Sequence, residues 1–300
     1  MLVPLKPDVD VTGATSGYHK IFADVVERGG EVSILAWANL LRRGHNIEAR
    51  DDINNLPASP VNGARATFIS DRVRSISSSH HQKTLVIAAN SSSAKDDHPV
   101  ACKCKHYTEF APYGETSILH ARIKAIKNAK NYIYIEDQYF ILVPELLDAL
   151  MEVIPRLQKV MVVAHAPVGQ IKLTGYEKYF YEVVSPLQNK FPDKFRVYTT
   201  KLERDIYIHS KFVIIDDVYL SVGSANWNRR SMTSDSELNA NVVDDETVES
   251  PDKITVNKLA REFLIHNSSL IQTLEAEYHL RYVGFTNLIR QHADPQDTCS

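Results

Sequence analysis

Two histidine–lysine pairs have the residue types and the spacing needed to attack a phosphate ester. His81 and Lys83 form the first pair, and His209 and Lys211 form the second. A histidine can act as nucleophile or proton donor near neutral pH, and a lysine can neutralise phosphate oxygens. Because side chains alternate along a strand, residues two apart should point the same way. The two pairs therefore predict phosphoryl chemistry.

The second pair begins a longer motif whose other polar residues suit an anion. Residues 208–232 read IHSKFVIIDDVYLSVGSANWNRRSM, the pattern H-x-K-x4-D-x6-G-S-x-N. The apolar run before Asp216 predicts a buried strand, the two aspartates predict a turn, and the run after them predicts a returning strand. Gly223 would allow the backbone to approach an anion, and Ser224 and Asn226 could bind phosphate oxygens.

The first pair lies in a second copy of this pattern. The offset from His81 to His209 is 128 residues, and the same offset carries the predicted strand 31–37 onto 159–165. Self-similarity at one fixed register is the sequence signature of an internal repeat. We therefore expect two related halves in one chain.

The first copy lacks features that the second copy has. Ala88 stands where the repeat should have the equivalent of Asp216, and a polar loop replaces the returning strand. We interpret the first domain, residues 1–115, as truncated and the second domain, residues 116–300, as complete. The truncation leaves His81 without an expected partner to orient its imidazole.

Alternating helices and apolar strands predict an α/β fold with helices on the faces of a sheet. With the repeat, this becomes a duplicated α/β/α sandwich whose halves are related by a pseudo-twofold axis. Residues 39–60 are polar and loop-like, with a short helix as the open alternative. The expected strands are 31–37, 65–69, 132–135, 159–165, 195–199, 207–215 and 219–222, and the expected helices are 17–27, 116–128, 145–157, 176–190 and 254–282.

The composition is that of an ordinary globular chain. A net charge of −3 argues against a protein that lives on bulk nucleic-acid phosphate. No apolar run approaches the ~18 residues of a membrane helix, and the first residues lack the pattern of a signal peptide. Cys102, Cys104 and His106 could be metal ligands, but a fourth ligand at a usual spacing is missing. We expect neither a metal nor another cofactor.

The long motif resembles the HKD motif of the phospholipase D superfamily. The tail NRRSMTSDSELN extends the likeness, and the segments HHQK and IYIEDQYF are similar to eukaryotic-type phospholipases D. The resemblance covers most of residues 17–245. It implies that two motifs, one from each half, form a single site around one phosphate.

Carried over by motif, the resemblance implies a role for each histidine and lysine. His81 would be the nucleophile that forms a phosphohistidine. His209 would be the general acid for the leaving alcohol and then the base that activates water. Lys83 and Lys211 would hold the non-bridging oxygens, and no metal would be needed.

The acidic residues of the second motif are expected to support this chemistry. Glu237 would set the tautomer of His209, with Asp235 as the alternative. Asp216 belongs to the motif's catalytic set, but we expect it to support the strand turn rather than to touch substrate. Three further residues could belong either to the pocket or to the structural framework: Glu136, Gln138 and His165.

The activity implied by the resemblance is hydrolysis of glycerophospholipids, in which phosphatidylcholine gives phosphatidic acid and choline. The substrate would be met at a membrane surface, with no nucleic acid as partner and no transmembrane segment. One chain carries both motifs, so a monomer would suffice. Two alternatives stay open, an impaired remnant that binds phosphate or anionic lipid and an HKD-type nuclease. The cellular location also stays open, between soluble, peripheral and, with further residues upstream, secreted.

Overall fold

The computed structural model divides the chain into two compact units. It describes residues 18–38, 43–71, 79–83, 115–166, 176–204, 206–243 and 271–273. The first unit comprises Met1–His80 and Leu85–Tyr113, and the second comprises His81–Thr84 and Gly114–Ser300. The first histidine–lysine pair therefore belongs to the same unit as the second pair.

The first unit contains two helices and two parallel strands. These are α1 Tyr18–Glu27, β1 Val32–Trp37, α2 Arg43–Asn54 and β2 Ala66–Asp71, with β1 paired to β2. Both helices and β2 contribute the side chains of a small apolar core: Val26, Ala49, Ile53, Leu56, Ala66 and Phe68.

Two details of the first unit differ from the sequence prediction. The helix left open within the loop-like segment 39–60 is longer than expected, because α2 spans 12 residues and buries Ala49 and Ile53, which lie four residues apart on one helical face. Strand β1 is also less buried than its apolar content suggests, since Leu35 is 55% exposed.

The second unit is built on a mixed sheet of seven strands. The strands are β3 Tyr132–Asp137, β4 Lys159–Ala164, β5 Phe195–Thr200, β6 Lys211–Ile215, β7 Tyr219–Gly223, β8 Asn239–Val243 and β9 Ile271–Thr273. Their order across the sheet is β8-β7-β6-β3-β4-β5-β9. Strands β3, β4 and β5 run parallel, whereas every other neighbouring pair is antiparallel.

Helices of the second unit share one apolar core with β3, β4, β5 and β6. They are α3 Ser117–Asn128, α4 Pro144–Val153, α5 Tyr176–Lys190 and the short α6 Arg229–Thr233. The predicted bounds of α5 are confirmed. Helix α4 ends at Val153 instead of residue 157, because Pro155 has no N–H with which to continue the helical hydrogen bonds.

The predicted helix 254–282 is wrong where it can be compared. Residues Ile271–Thr273 form β9, which pairs antiparallel with β5. This pairing covers backbone groups of β5 that would otherwise form a sheet edge. The predicted strand 207–215 begins only at Lys211.

The α/β class predicted from the sequence is confirmed by the central sheet and its helices. The duplication and its pseudo-twofold axis stay predictions. Ala88, Cys102, Cys104 and His106 lie outside the described residues. Of the helices in the described part of the chain, none combines the length and the apolar character needed to cross a membrane.

Candidate active site

The second histidine–lysine pair lies where β6 begins and β3 ends. Strand β6 runs antiparallel to β3, with Lys211 paired to Asp137. This register brings the start of the motif next to Gln138, the residue that follows β3. The sheet therefore fixes the backbone of Lys211, and His209 lies in the loop just before it.

Lys211 is buried and held at two points. Its Nζ donates to Oε1 of Gln138 at 3.2 Å and to the carbonyl oxygen of His209 at 2.7 Å. Burial lowers the pKa of Lys211 to about 8, although the nearby Asp137 carboxyl raises it. An ammonium group held in this way is largely desolvated before any ligand arrives.

The first pair repeats the internal contact of the second. The Nζ of Lys83 donates to the carbonyl oxygen of His81, as Lys211 does to His209. The backbone N–H groups of His81 and Gln82 both donate to the carbonyl oxygen of Ser236, at 2.9 and 3.1 Å. Residues 81–82 are thus docked directly beside the acidic tail of the second motif.

His81 has a fixed tautomer. Its Nδ1 lies 2.8 Å from the carbonyl oxygen of Ser224 and 3.1 Å from Oε2 of Glu237. Both partners are acceptors, so Nδ1 carries the proton, and Nε2 keeps its lone pair in the neutral ring. The Glu237 side chain is only 1% exposed. The prediction that Glu237 orients His209 is therefore wrong, and so is the expectation that His81 lacks a partner.

Ser224 and Asp235 also differ from the sequence predictions. The Ser224 hydroxyl donates to Oε2 of Glu237 and accepts from the backbone N–H of Leu238 at 3.0 Å. These contacts make Ser224 a support for Glu237, in place of the predicted phosphate ligand. Asp235, the alternative partner of His209, instead pairs with Arg230 at 3.0 Å.

The His209 imidazole has a different environment from that of His81. Its pKa is lowered to about 4 by partial burial first, then by Lys211, with Lys83 and His81 contributing. These effects require the two pairs to be near one another within the second unit. Tyr207 stacks on the His209 ring, with centroids 6.0 Å apart. Within the described ranges, no group hydrogen-bonds the His209 imidazole.

Asn226 belongs to a loop whose backbone is hydrogen-bonded to two buried charged side chains, those of Arg122 and Asp137. It is 3% exposed, and among the described residues its Oδ1 has no hydrogen-bond partner. The Arg122 guanidinium donates to the carbonyl oxygens of Ala225 at 2.7 Å and Asn226 at 3.3 Å. The backbone N–H of Trp227 donates to Asp137 at 2.8 Å. A buried cation and a buried carboxyl thus hold the loop on both sides of Asn226.

Sequence reasoning missed Arg122 and Asp137. A signal for Arg122 was present, since it is a cation on the apolar stripe of α3 between Leu119 and Ile126, and all three are buried. Burial raises the pKa of the Asp137 carboxyl, which Arg122 opposes. Asp137 gave no comparable signal, because its acceptor role depends on the loop that returns 90 residues later.

Gly223 serves packing between strands. A Cβ atom there would lie 2.3 Å from the carbonyl oxygen of Leu238 and 2.6 Å from Cα of Asn239. Only glycine permits β7 and the start of β8 to approach this closely. The expectation that Gly223 makes room for an anion is therefore replaced by a contact within the sheet.

Asp216 directly follows the end of β6, the strand that begins with Lys211. Its carboxylate accepts from the backbone N–H groups of Lys130, Asn131 and Tyr132 at 2.6, 2.8 and 2.8 Å. At ~3.4 Å per residue, about 17 Å of strand separates it from Lys211. Asp216 supports the turn before β3, so its inclusion in the catalytic set is corrected.

The three residues left open between pocket and framework have distinct contacts. Glu136 accepts from Ser210 and from Tyr134, the latter at 2.8 Å. Gln138 joins Lys211 to Tyr207. His165 packs edge-on against the Tyr207 ring, with centroids 4.7 Å apart, and burial lowers its pKa. These contacts put Gln138 and His165 beside the second pair.

Comparison with known proteins finds sequence similarity to phospholipase D-like proteins. The family model described as cardiolipin synthase, PLD-like domain, matches residues 122–258. Phospholipase D alpha 2 of Oryza sativa subsp. japonica is 27% identical over 196 residues, 41% of this chain and 24% of that protein. Phospholipase D1 of Mus musculus is 30% identical over 181 residues, 45% of this chain and 17% of that protein.

One solved structure that aligns with this chain is less similar to it in sequence than the curated relatives are. The phosphatidylserine synthase of Haemophilus influenzae Rd KW20 aligns with a TM-score of 0.40 and 14% identity, over 53% of this chain and 37% of that one. This chain spans about a quarter or less of the length of the two curated relatives. The family model and the curated relatives support an assignment of the chain to the phospholipase D superfamily.

Proposed function

We propose that the protein is a phosphodiesterase that hydrolyses glycerophospholipids, converting phosphatidylcholine to phosphatidic acid and choline. The observation that carries this proposal is the bond between Glu237 and Nδ1 of His81. In the neutral ring this bond directs the Nε2 lone pair of His81 away from Glu237, in the same unit as two lysines and a second histidine.

In the first step, Nε2 of His81 attacks phosphorus and the bond from phosphorus to the leaving oxygen breaks. The His81 ring becomes cationic, because Nδ1 keeps its proton while Nε2 bonds to phosphorus. The Glu237 carboxylate beside Nδ1 stabilises that charge. Protonated His209 donates to the leaving oxygen, which departs as an alcohol.

In the second step, neutral His209 takes a proton from water while the water oxygen attacks phosphorus. The P–N bond breaks, and His81 is restored with its Nδ1 proton. His209 is neutral at pH 7 in the free protein, since its pKa is about 4. A bound phosphodiester anion offsets the charges of Lys211 and Lys83 and so raises this pKa towards the protonated form.

The cationic groups and Asn226 complete the proposed site. Lys83 and Lys211 stabilise the non-bridging oxygens, where charge builds up during attack. The amide NH2 group of Asn226 would donate a further hydrogen bond to a phosphate oxygen. Neither step needs a metal or another cofactor.

The choice of a lipid substrate is supported by the names of the curated relatives and by the net charge. Curated relatives are phospholipases D by name, and the net charge of −3 disfavours a nuclease. The substrate would be reached at a membrane surface. Since His81–Thr84 and the second motif belong to one unit of one chain, a monomer is the proposed working form.

Choline release from phosphatidylcholine vesicles tests this proposal. Wild type should release choline, and His81→Asn and His209→Asn should each reduce release by at least 100-fold. His120→Asn, an exposed histidine of α3, is the matched control and should release choline at the wild-type rate. Plasmid nicking without choline release would favour the nuclease instead.

A second candidate is a protein that binds phosphate or anionic lipid without turnover. The missing hydrogen bond on His209, within the described residues, favours it, because a general acid–base works best when oriented. This candidate predicts that phosphate raises the melting temperature while no diester is hydrolysed. Measurable turnover that is lost in His81→Asn excludes it.

A further inference from the structure

Gln138 makes a hydrogen-bonded bridge that the proposed mechanism does not use. It is 2% exposed and lies directly after β3. Its Oε1 accepts from Nζ of Lys211 at 3.2 Å, and its Nε2 donates to the hydroxyl oxygen of Tyr207. One buried amide thus connects a cation of the site to a tyrosine.

The chemistry of Lys211 fixes which way the Gln138 amide faces. An ammonium group has only donors, so the amide oxygen must face Lys211 and the NH2 group must face Tyr207. The Tyr207 oxygen is then an acceptor towards Gln138, and its own hydrogen is available to another partner. Burial raises the pKa of Tyr207, which keeps the phenol protonated near neutral pH.

The Tyr207 ring lies beside the proposed acid–base histidine. It stacks on His209 with centroids 6.0 Å apart and 25° between the ring planes. On its other side His165 packs edge-on, at 62°. Tyr207 nonetheless stays 48% exposed, so part of the residue faces solvent beside His209.

We propose that Tyr207 donates a hydrogen bond to an oxygen of the bound phosphodiester, and that Gln138 is the positioning residue that enforces this direction. The inference rests on the proposed function for its substrate, but the Gln138–Tyr207 polarity is a property of the free protein. The two can therefore be tested separately.

Gln138→Glu reverses the polarity without changing the shape of the side chain. A carboxylate accepts from Lys211 and from Tyr207 together, so the tyrosine hydrogen is captured. The Tyr207 pKa should then rise above its wild-type value, because an amide donor is replaced by a negatively charged acceptor. NMR titration of protein labelled at tyrosine Cζ measures this, with Tyr207→Phe assigning the resonance. An unchanged Tyr207 pKa in Gln138→Glu would overturn the proposed polarity.

Kinetics with a lipid phosphodiester test the contact to substrate. Loss of one hydrogen bond in Tyr207→Phe should lower kcat/KM by about tenfold. Gln138→Glu should lose a similar factor, and the double variant should be no worse than the poorer single variant, because both changes remove the same contact. Losses that multiply, or an unchanged Tyr207→Phe, would overturn the proposal.

Two variants control for general effects. Tyr219→Phe removes a hydroxyl that donates to Asn241 at 2.7 Å, and Gln158→Glu changes an amide that donates to Asn131 at 3.2 Å, before β3 begins. Both should keep wild-type kcat/KM. If wild type hydrolyses no diester, the proposed function fails, and inorganic phosphate affinity then decides this inference. Weaker phosphate binding by Tyr207→Phe and Gln138→Glu supports it, and equal binding by all forms overturns it.

Discussion

Oε2 of Glu237 lies 3.1 Å from Nδ1 of His81, a residue 156 positions earlier in the chain. The second motif therefore supplies the partner that orients the histidine of the first. The same carboxylate oxygen also accepts from Ser224, whose carbonyl oxygen is the other acceptor near Nδ1. A first half with an incomplete motif can in this way still present an oriented histidine.

Glu237→Gln should reduce catalysis without unfolding the protein. The amide keeps the size of the side chain but removes the charge that stabilises cationic His81 during attack. We expect kcat/KM for a phosphodiester to fall by about 100-fold. Glu145→Gln, which weakens a partly exposed ion pair with Arg229, is the control and should leave kcat/KM unchanged. Equal rates in Glu237→Gln and wild type would contradict the role of Glu237.

Activity should fall as Lys211 loses its proton. The pKa of Lys211 is about 8 in the free protein, so kcat/KM should decline above about pH 8. Lys211→Arg keeps the charge at every accessible pH, although its different shape lowers the overall rate. Its pH profile should therefore lose the alkaline decline. A decline at the same pH in Lys211→Arg would assign it to another group.

His209 should make stability depend on pH on the acidic side. Its folded pKa of about 4 lies below the ordinary histidine value of 6.5, so between these values the unfolded chain binds more protons. Stability from this source is complete above about pH 6.5 and is lost as the pH falls towards 4. Urea unfolding at several pH values should show a smaller acid loss for His209→Asn than for wild type. Parallel losses in the two proteins would argue against a lowered His209 pKa.

Asp216→Ala should destabilise the protein while leaving the site chemistry intact. The change removes the acceptor of three backbone N–H groups, and the hydrogen bonds from Asn131 and Tyr132 are buried. We expect a loss of about 2–4 kcal/mol in unfolding free energy, because unsatisfied buried donors are costly. Well below the melting temperature, kcat should match wild type. A large drop in kcat in folded protein would return Asp216 to the catalytic group.

Local pattern predicted the elements whose identity depends on their own residues. The apolar runs of β3, β4 and β5 and the helical spacing of α5 are visible in the sequence, and the structure has them close to the predicted bounds. Strand β9 could not be predicted, since three residues become a strand only by pairing with β5. Contacts at a distance in sequence decide such elements.

In the candidate site, too, the features that depend on local sequence were predictable and the contacts between distant residues were not. Residue types and spacing identified the two histidine–lysine pairs, and the family assignment made from them is confirmed. The partner of the His81 imidazole was not predictable, because it depends on how the His81 backbone docks against the carbonyl oxygen of Ser236. Arg122 could have been found as a cation on an apolar helix stripe.

We propose above all that His81 is the nucleophile and that His209 donates a proton to the leaving oxygen and then accepts one from water. His209→Asn, given a lipid phosphodiester with a p-nitrophenol leaving group, tests it most directly, because this leaving group departs without an acid. The variant should release a stoichiometric burst of p-nitrophenol, and mass spectrometry of quenched protein should find the phosphoryl adduct on His81. His81→Asn should give neither. A burst in His81→Asn, or an adduct on His209, would contradict the assignment.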